Sequence, residues 1–424
     1  MKIGIVGSRL QLFSLYGISF TLAFSLLNLN SIFIILLALG WLLEGKFRDK
    51  WGLLRRNLIF FAYVSYFLIL VPGIINADPI SKGWKYLEGE LGFLILPLLL
   101  CSTTLEQNVL KKIIIAFLLF LTSATLYCLV NRMMEFGRTG EVDIFFYHNL
   151  LKPIDHHAVY FSVFLLTGTI FLVKEAKAAS LGIHKGVKVV WIIYCIMLLI
   201  LLSSKMVLLF LLAYIIYSAL SNQIKGLKAW HKLSGVALIL SIVIALFTFS
   251  NPVKKRFRDI ITPNTELQKE KFDRATYFNG IEFRLLLWRI TYEILEDNKA
   301  WPLGVGVVNA QSHLNQKYLQ LDLYAGNDGK SDSGYLVYNC HNQFLQTSLQ
   351  SGMLGLAALL FLCVTLVLNA FRKRNEVLIC TIALLFCFLL IESVFERQYG
   401  VLLSTWLPLL FFIALSQRKE TTYS

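Results

Sequence analysis

The stretch HNQFLQTSLQSGMLGLAALLFLCVTLVLNAFRKR, residues 341–374, decides the fold. It opens on a polar pair, His341-Asn342, becomes largely apolar, and closes on Arg372, Lys373 and Arg374. A helix needs roughly 20 apolar residues to cross a bilayer. A run of this length that ends in cations reads as a membrane span with its basic end in the cytoplasm. Long apolar stretches of the same kind recur from Leu10 to Ser416. The whole chain of 424 residues is 57% hydrophobic and 16% charged, where soluble domains average about 25% charged. Its mean hydropathy is +0.65. The class is an all-α integral membrane protein; an outer-membrane barrel shows short alternating segments instead.

Candidate spans cover 10–27, 30–45, 57–75, 88–102, 112–133, 156–173, 188–203, 205–221, 232–250, 343–370, 376–394 and 399–416, about twelve transmembrane helices by the length rule. Lys2 and Arg9 precede the first run as they would in a signal peptide, but no clear small-x-small cleavage site follows, so this run reads as the first span. Positive charge then sets orientation. Lys46, Arg48, Lys50, Arg55 and Arg56 fill one loop, and Lys174, Lys177, Lys185 and Lys188 another. Lys225, Lys228 and Lys232 fill a third, and 372–374 a fourth. All four share one side if both termini are cytoplasmic. The loops near 76–87, 134–155 and 395–398 are poorer in Lys and Arg.

One connection breaks the pattern. Residues 251–341 form a long, polar, basic loop on the outer side, with turn signals such as Asn327-Asp328-Gly329. Long segments translocate regardless of charge. The chain thus divides into N-terminal spans (1–250), a large outer loop (251–341) and C-terminal spans (342–424), forming one integrated membrane domain. Orientation accounts for most of the net charge of +14, so nucleic acid is not implied. Six of the seven cysteines lie in or beside apolar runs. Cys340 is expected near the outer surface, with no obvious partner, and no disulfide is expected.

Five groups of residues carry chemistry, and each has an ordinary structural reading beside the functional one. His341 stands at the outer interface. At 100° per residue, Gly352 falls within about 20° of it and Gly355 within about 40° on the other side, so all three share a helical face. Small residues admit close approach by a helix or a lipid chain. Asn342 suits a helix start. Simple capping and packing explain the same pattern.

The second group is FRLLLWRITYEILEDNKAWPLGVGV, from Phe283. Arg284 and Trp288 stack on one face four residues apart, Arg289 points elsewhere, and the apolar stripe reads as an amphipathic helix lying on the membrane. An interfacial helix with snorkelling arginines is the plainer alternative. Third, Lys205 in LLSSKMVLL sits at the outer end of a tight helical hairpin, where it either snorkels or meets an anion. Fourth, His148, His156, His157 and Tyr160 gather where a span enters from outside. Adjacent imidazoles rarely share one ion, so a metal is not expected; interfacial anchoring and ligand contact both remain. Fifth, Glu392 is expected to pair with a loop arginine near Arg397, with acceptor contact as the alternative. Asp322, Asp328 and Asp332 lack a calcium-loop register, and there is no nucleotide fingerprint.

His341-Asn342 followed by Gly352 and Gly355 resembles the signature of the O-antigen ligase family of bacterial envelope glycosyltransferases. So does Arg284 with Trp288 and the Pro302-Gly304-Gly306 turn. The resemblance is firmest over 281–356. It implies a GT-C-like lipid-donor glycosyltransferase of the inner membrane, with its active site facing the periplasm. It also implies an undecaprenyl diphosphate-linked glycan as donor, lipid A–core oligosaccharide as acceptor, and no nucleotide or other cofactor. Carried over by position, Arg284 contacts the donor diphosphate and His341 is catalytic. Ser204-Lys205 departs from the family's Ser-Arg, which keeps the charge and loses the bidentate fork. Arg289 joins the donor-binding candidates; Asn342, His157, Tyr160, Trp288 and Glu392 are candidate substrate contacts.

A metal-independent inverting transfer follows from these roles, with the His341 imidazole accepting the acceptor hydroxyl's proton. O-antigen polymerases and protein O-oligosaccharyltransferases share the family and the donor. A polytopic lipid-linked sugar transporter is the rival from another class, although the paired halves typical of transporters are not evident.

Overall fold

The computed structural model describes residues 2–75, 77, 79–178, 183–220, 267–326 and 333–416. The described residues form helices and turns and no strand. The first helices are α1 (Lys2–Ala23), α2 (Leu27–Glu44), α3 (Phe47–Leu54), α4 (Leu58–Leu70), α5 (Pro72–Ile75), α6 (Ile80–Glu90) and α7 (Gly92–Cys101). Then come α8 (Gln107–Thr139), α9 (Tyr147–Leu151), α10 (Ala158–Ala178), α11 (Lys185–Leu202) and α12 (Lys205–Leu220). The last are α13 (Gly280–Asp297), α14 (Ala310–Gln320), α15 (Gln343–Lys373), α16 (Glu376–Ile391) and α17 (Gln398–Ser416).

Among the described residues four helices, α2, α8, α11 and α15, are long and apolar enough to cross a membrane. The number rises to six if the pairs bent by 82° between α3 and α4 and by 89° before α10 each count once. Apolar α12, α16 and α17 are shorter. The expected span 88–102 is instead the junction of amphipathic α6 with the ten-residue α7, which contains Pro97. At 1.5 Å per residue such a helix is far shorter than the ~30 Å hydrocarbon core. The expected span 232–250 and its flanking lysines lie outside the described residues, as does the turn at 327–329.

Two compact units divide the chain. The first takes residues 1–14, 32–110 and 263–424. Its centre is aromatic: Phe93 lies 5.1 Å from Tyr66 and 4.7 Å from Phe395, ring to ring. Tyr63 donates to the Ser404 carbonyl of α17, and Tyr66 meets Thr347 of α15 at 3.4 Å. The second unit takes 15–31 and 111–262. There Trp191 donates to Thr122, and Tyr194 meets Thr125, joining α11 to α8 at 2.8 and 2.9 Å.

The long loop is folded around its own core. Asn279 starts α13 with a capping box, accepting from the Ile281 and Glu282 amides while Glu282 returns a bond to the Asn279 amide, all at 3.0 Å. The apolar stripe of α13 was expected to lie on the membrane. It instead packs Leu286, Leu287, Ile290, Ile294 and Leu295 against Leu314 and Tyr318 of α14 and against Phe272, Phe278 and Leu349. A protein core satisfies the same stripe as lipid would, because both remove it from water.

Candidate functional site

Helix α15 begins where its sequence directs. Asn342 is the N-cap, with its side-chain oxygen accepting from the Phe344 and Leu345 amides at 2.9 and 3.1 Å. Its amide nitrogen donates to the Leu390 carbonyl at 3.1 Å. The Asn342 side chain is therefore committed to the fold rather than turned toward a ligand. His341, just before it, has φ 45°, a left-handed conformation uncommon for a residue with a Cβ. Its Nδ1 lies 3.1 Å from both oxygens of Glu392, with the two side chains 19% and 14% exposed. Among the described residues Glu392 pairs with His341. The imidazole Nε2 has no hydrogen-bond partner among the described residues.

Arg284 reaches the same segment. Its Nε donates to the Ile391 carbonyl at 3.0 Å and its Nη1 to the Gly280 carbonyl at 2.6 Å. Consecutive residues, Ile391 and Glu392, therefore hold the guanidinium and the imidazole. Tyr338 lies beside His341, 5.6 Å between rings, and extends into Phe283 at 5.0 Å. Arg289, expected as a donor contact, is engaged elsewhere on the same helix. It pairs with Glu293 at 2.6 Å and donates to the Leu267 and Lys269 carbonyls. Trp288 is half-buried against the loop core, and its indole N–H has no hydrogen-bond partner among the described residues.

Cys340 was expected near the surface and is fully buried. Its Sγ accepts from Thr291 of α13 at 3.2 Å, and burial pushes its thiol up to about 12. All seven cysteines are free thiols.

The glycines do not share a helical face with His341, because α15 breaks between them. Gly352 has φ 62° and ψ −157°, outside helical geometry. A Cβ there would lie 2.4 Å from the Pro302 carbonyl. In a continuous helix the Met353 and Leu354 amides would pair with the Leu349 and Gln350 carbonyls. Here the turn after α13 takes all four. Met353 donates to Trp301 and Leu354 to Pro302, at 2.7 and 3.5 Å. Leu349 accepts from Val305 and Gln350 from Gly306, at 2.8 and 3.1 Å. Gly304, at φ 71°, gives the turn its close approach to the Gln350–Ser351 peptide. The two motifs read separately in the sequence are one structural feature.

The remaining candidates belong to the second unit. Lys205 opens α12 two residues after Ser203, whose φ of 42° reverses the chain at the end of α11, so the tight hairpin is present. His157 lies between His148 and Tyr160, with ring centroids 4.5 and 5.2 Å away. His156 is buried, with its nitrogens on the His157 and Leu22 carbonyls at 3.2 and 3.1 Å.

Residues 190–360 match the O-antigen ligase family model. The match supports the family resemblance read from the sequence, over less than half of the chain. Among curated proteins, none matches the chain. The O-antigen ligase region contains Lys205, Arg284, Trp288, His341, Asn342, Gly352 and Gly355. Glu392 lies beyond it and enters the site through its bond to His341. Sequence reasoning missed a further O-antigen-ligase-region feature: the buried glutamines Gln343, Gln346 and Gln350 on α15. Their spacing of three and four residues marks one polar helical face, and that signal was present in the sequence.

Proposed function

We propose that this protein is a membrane glycosyltransferase of the O-antigen ligase type. It moves a glycan from undecaprenyl diphosphate to lipid A–core oligosaccharide at the periplasmic face of an inner membrane. About twelve spans with cytoplasmic termini are the matching topology. The observation that carries the reading is the joint anchoring of Arg284 and His341 on residues 391 and 392.

The chemistry follows from that pairing. Glu392 holds a proton on Nδ1 of His341, which leaves Nε2 to accept the proton of an acceptor hydroxyl. The hydroxyl oxygen attacks the anomeric carbon as the bond to the diphosphate oxygen breaks, which inverts that carbon. Two N–H groups of Arg284 are held by carbonyls, so its charge is fixed before the donor arrives and is not rearranged during reaction. Lys205, with His157 and Tyr160, is carried as a donor or glycan contact by residue type and family resemblance alone.

The test uses purified protein in detergent with lipid-linked glycan, lipid A–core and chelator, without nucleotide. Wild type is expected to form glycan-bearing lipid A–core. His341→Ala is expected to lower the rate by about 10²-fold or more, the usual contribution of a positioned base. Glu392→Gln is expected to cost about tenfold, through loss of one charge-assisted hydrogen bond. No product from wild type with donor intact would end the ligase reading for these substrates. Lengthening of the glycan on the donor would reassign the acceptor and make the protein a polymerase.

A further inference from the structure

Gln343, Gln346 and Gln350 are 0, 3 and 1% exposed. A buried amide left unpaired costs about 1–3 kcal/mol, and all three find partners in the segment after α16. Gln343 Oε1 accepts from the Phe395 amide at 2.8 Å. Gln350 Nε2 donates to Glu396 at 2.9 Å, and the Gln346 side chain faces the same carboxyl and acts to lower its pKa. Gln346 Oε1 then accepts from the amide of Cys340 at 3.2 Å, one residue before His341. Tyr86 of α6 donates to Glu396 at 3.4 Å and lies 3.2 Å from Gln350 Oε1. Glu90, four residues further along α6, is 3% exposed, and its Oε2 has no hydrogen-bond partner among the described residues.

We infer that Glu396 is a positioning residue whose carboxyl, bonded to Gln350 and set against Gln346, fixes the Cys340 peptide and so the direction of the His341 imidazole. The inference rests on the proposed role of His341. A left-handed backbone at a residue with a Cβ costs about 1–2 kcal/mol and persists only where its surroundings over-determine it. Two contacts hold the residue before it: Thr291 on the Cys340 sulfur and Gln346 on its amide. The first belongs to the loop, and the second depends on Glu396. The same carboxyl fixes Gln350, whose carbonyl receives the inserted turn. One side chain thus registers both the start of α15 and its break.

An acid suits this post because it accepts several donors at once. Burial pushes Glu396 up to about 7, against the lowering effect of Gln350, Tyr86 and Gln346. Burial, and then the neighbouring Glu396, holds Glu90 well above the usual carboxylate range. Tyr86 and Glu90 from α6, Tyr66 from α4 and Cys340 are the titratable groups that face Glu396. No lysine or arginine pairs with either acid among the described residues. The cluster therefore accumulates charge as pH rises through about 7, with no paired cation among the described residues.

The test compares full-length wild type, Glu396→Gln and Glu396→Ala in detergent. Glu396→Ala is expected to lose about tenfold or more in kcat with donor KM little changed, since ground-state binding is untouched. Glu396→Gln keeps one acceptor oxygen for Gln350 and Tyr86 without the charge. It is expected to stay within a few-fold of wild type near pH 6, and the ratio of wild-type to variant kcat should fall as pH rises through about 7. A second readout needs no turnover: NMR of histidine-labelled protein, with the His341 signal assigned by its loss in His341→Ala. Its chemical shift is expected to move in Glu396→Ala and to return in Glu396→Gln. Unchanged kcat or an unmoved His341 signal in folded Glu396→Ala overturns the inference, as does a Glu396→Gln as impaired as Ala. Wild type inactive on these substrates would defeat the functional reading, while the NMR comparison would still decide the clamp.

Discussion

Before Gly352, α15 is buried and polar; after it, the same helix is apolar, with one face buried and the other open. Gln343, Gln346, Thr347, Ser348 and Gln350 are all buried in the first part. In the second part Met353, Leu354, Leu360, Phe361, Val364 and Leu368 are 40–53% exposed. The first part is held by named partners on the loop, α6 and the segment after α16. The second is specified by hydrophobic length, as a surface for lipid chains is. One continuous apolar stretch thus contains two kinds of specification. The chemistry lies at the end where each side chain has a fixed partner.

The largest expected effect breaks the boundary itself. In Gly352→Leu the side chain meets the Pro302 backbone and the residue must keep a positive φ. A cost of about 3 kcal/mol or more is expected, read as loss of monodisperse protein in size-exclusion chromatography. Retention of a wild-type melting transition would show that the break is not fixed by the turn. Next, Gln350→Leu removes a partner from a buried carboxyl. It is expected to lower stability by about 1–3 kcal/mol in thermal unfolding.

A pH effect of intermediate size sharpens the contrast. Glu396 in the folded protein keeps its proton up to about 7, against an ordinary 4.5. Between those values the folded state binds more protons than the unfolded chain, so stability is highest below the window and falls as pH rises through about 7. Thermal midpoints should decline from pH 5 to pH 8 in wild type and flatten in Glu396→Gln. The smallest effect belongs to the open half. Leu360→Ala is expected to stay within about 0.5 kcal/mol of wild type, since that side chain is 45% exposed. A large loss there would mean that the second half also has a fixed protein partner.

The features legible in the sequence are those encoded locally. The cap at Asn342, the apolar stripe of α13 and the hairpin before Lys205 each depend on residues within a few positions of one another. The break at Gly352 does not. It depends on a turn some fifty residues earlier in the chain, and an angular argument that assumes an unbroken helix cannot detect it. The His341–Glu392 contact was hidden for the same reason: it joins residues 51 positions apart, and only tertiary packing brings them together. The glutamine stripe was readable, because three amides at helical spacing in an apolar run need a buried partner. Cys340 shows the converse, since polar neighbours in sequence said little about how deeply the thiol is packed.

The stitched break also limits how this protein can be recombined. Residues 301–306 provide every backbone partner that α15 gives up at its break. A chimera joined at 342, carrying a foreign loop, would leave two amides and two carbonyls of the helix without those partners. Each such group left unpaired away from water costs on the order of 1–3 kcal/mol. The turn at 301–306 and the break at 349–354 are therefore expected to be exchanged together in any such chimera.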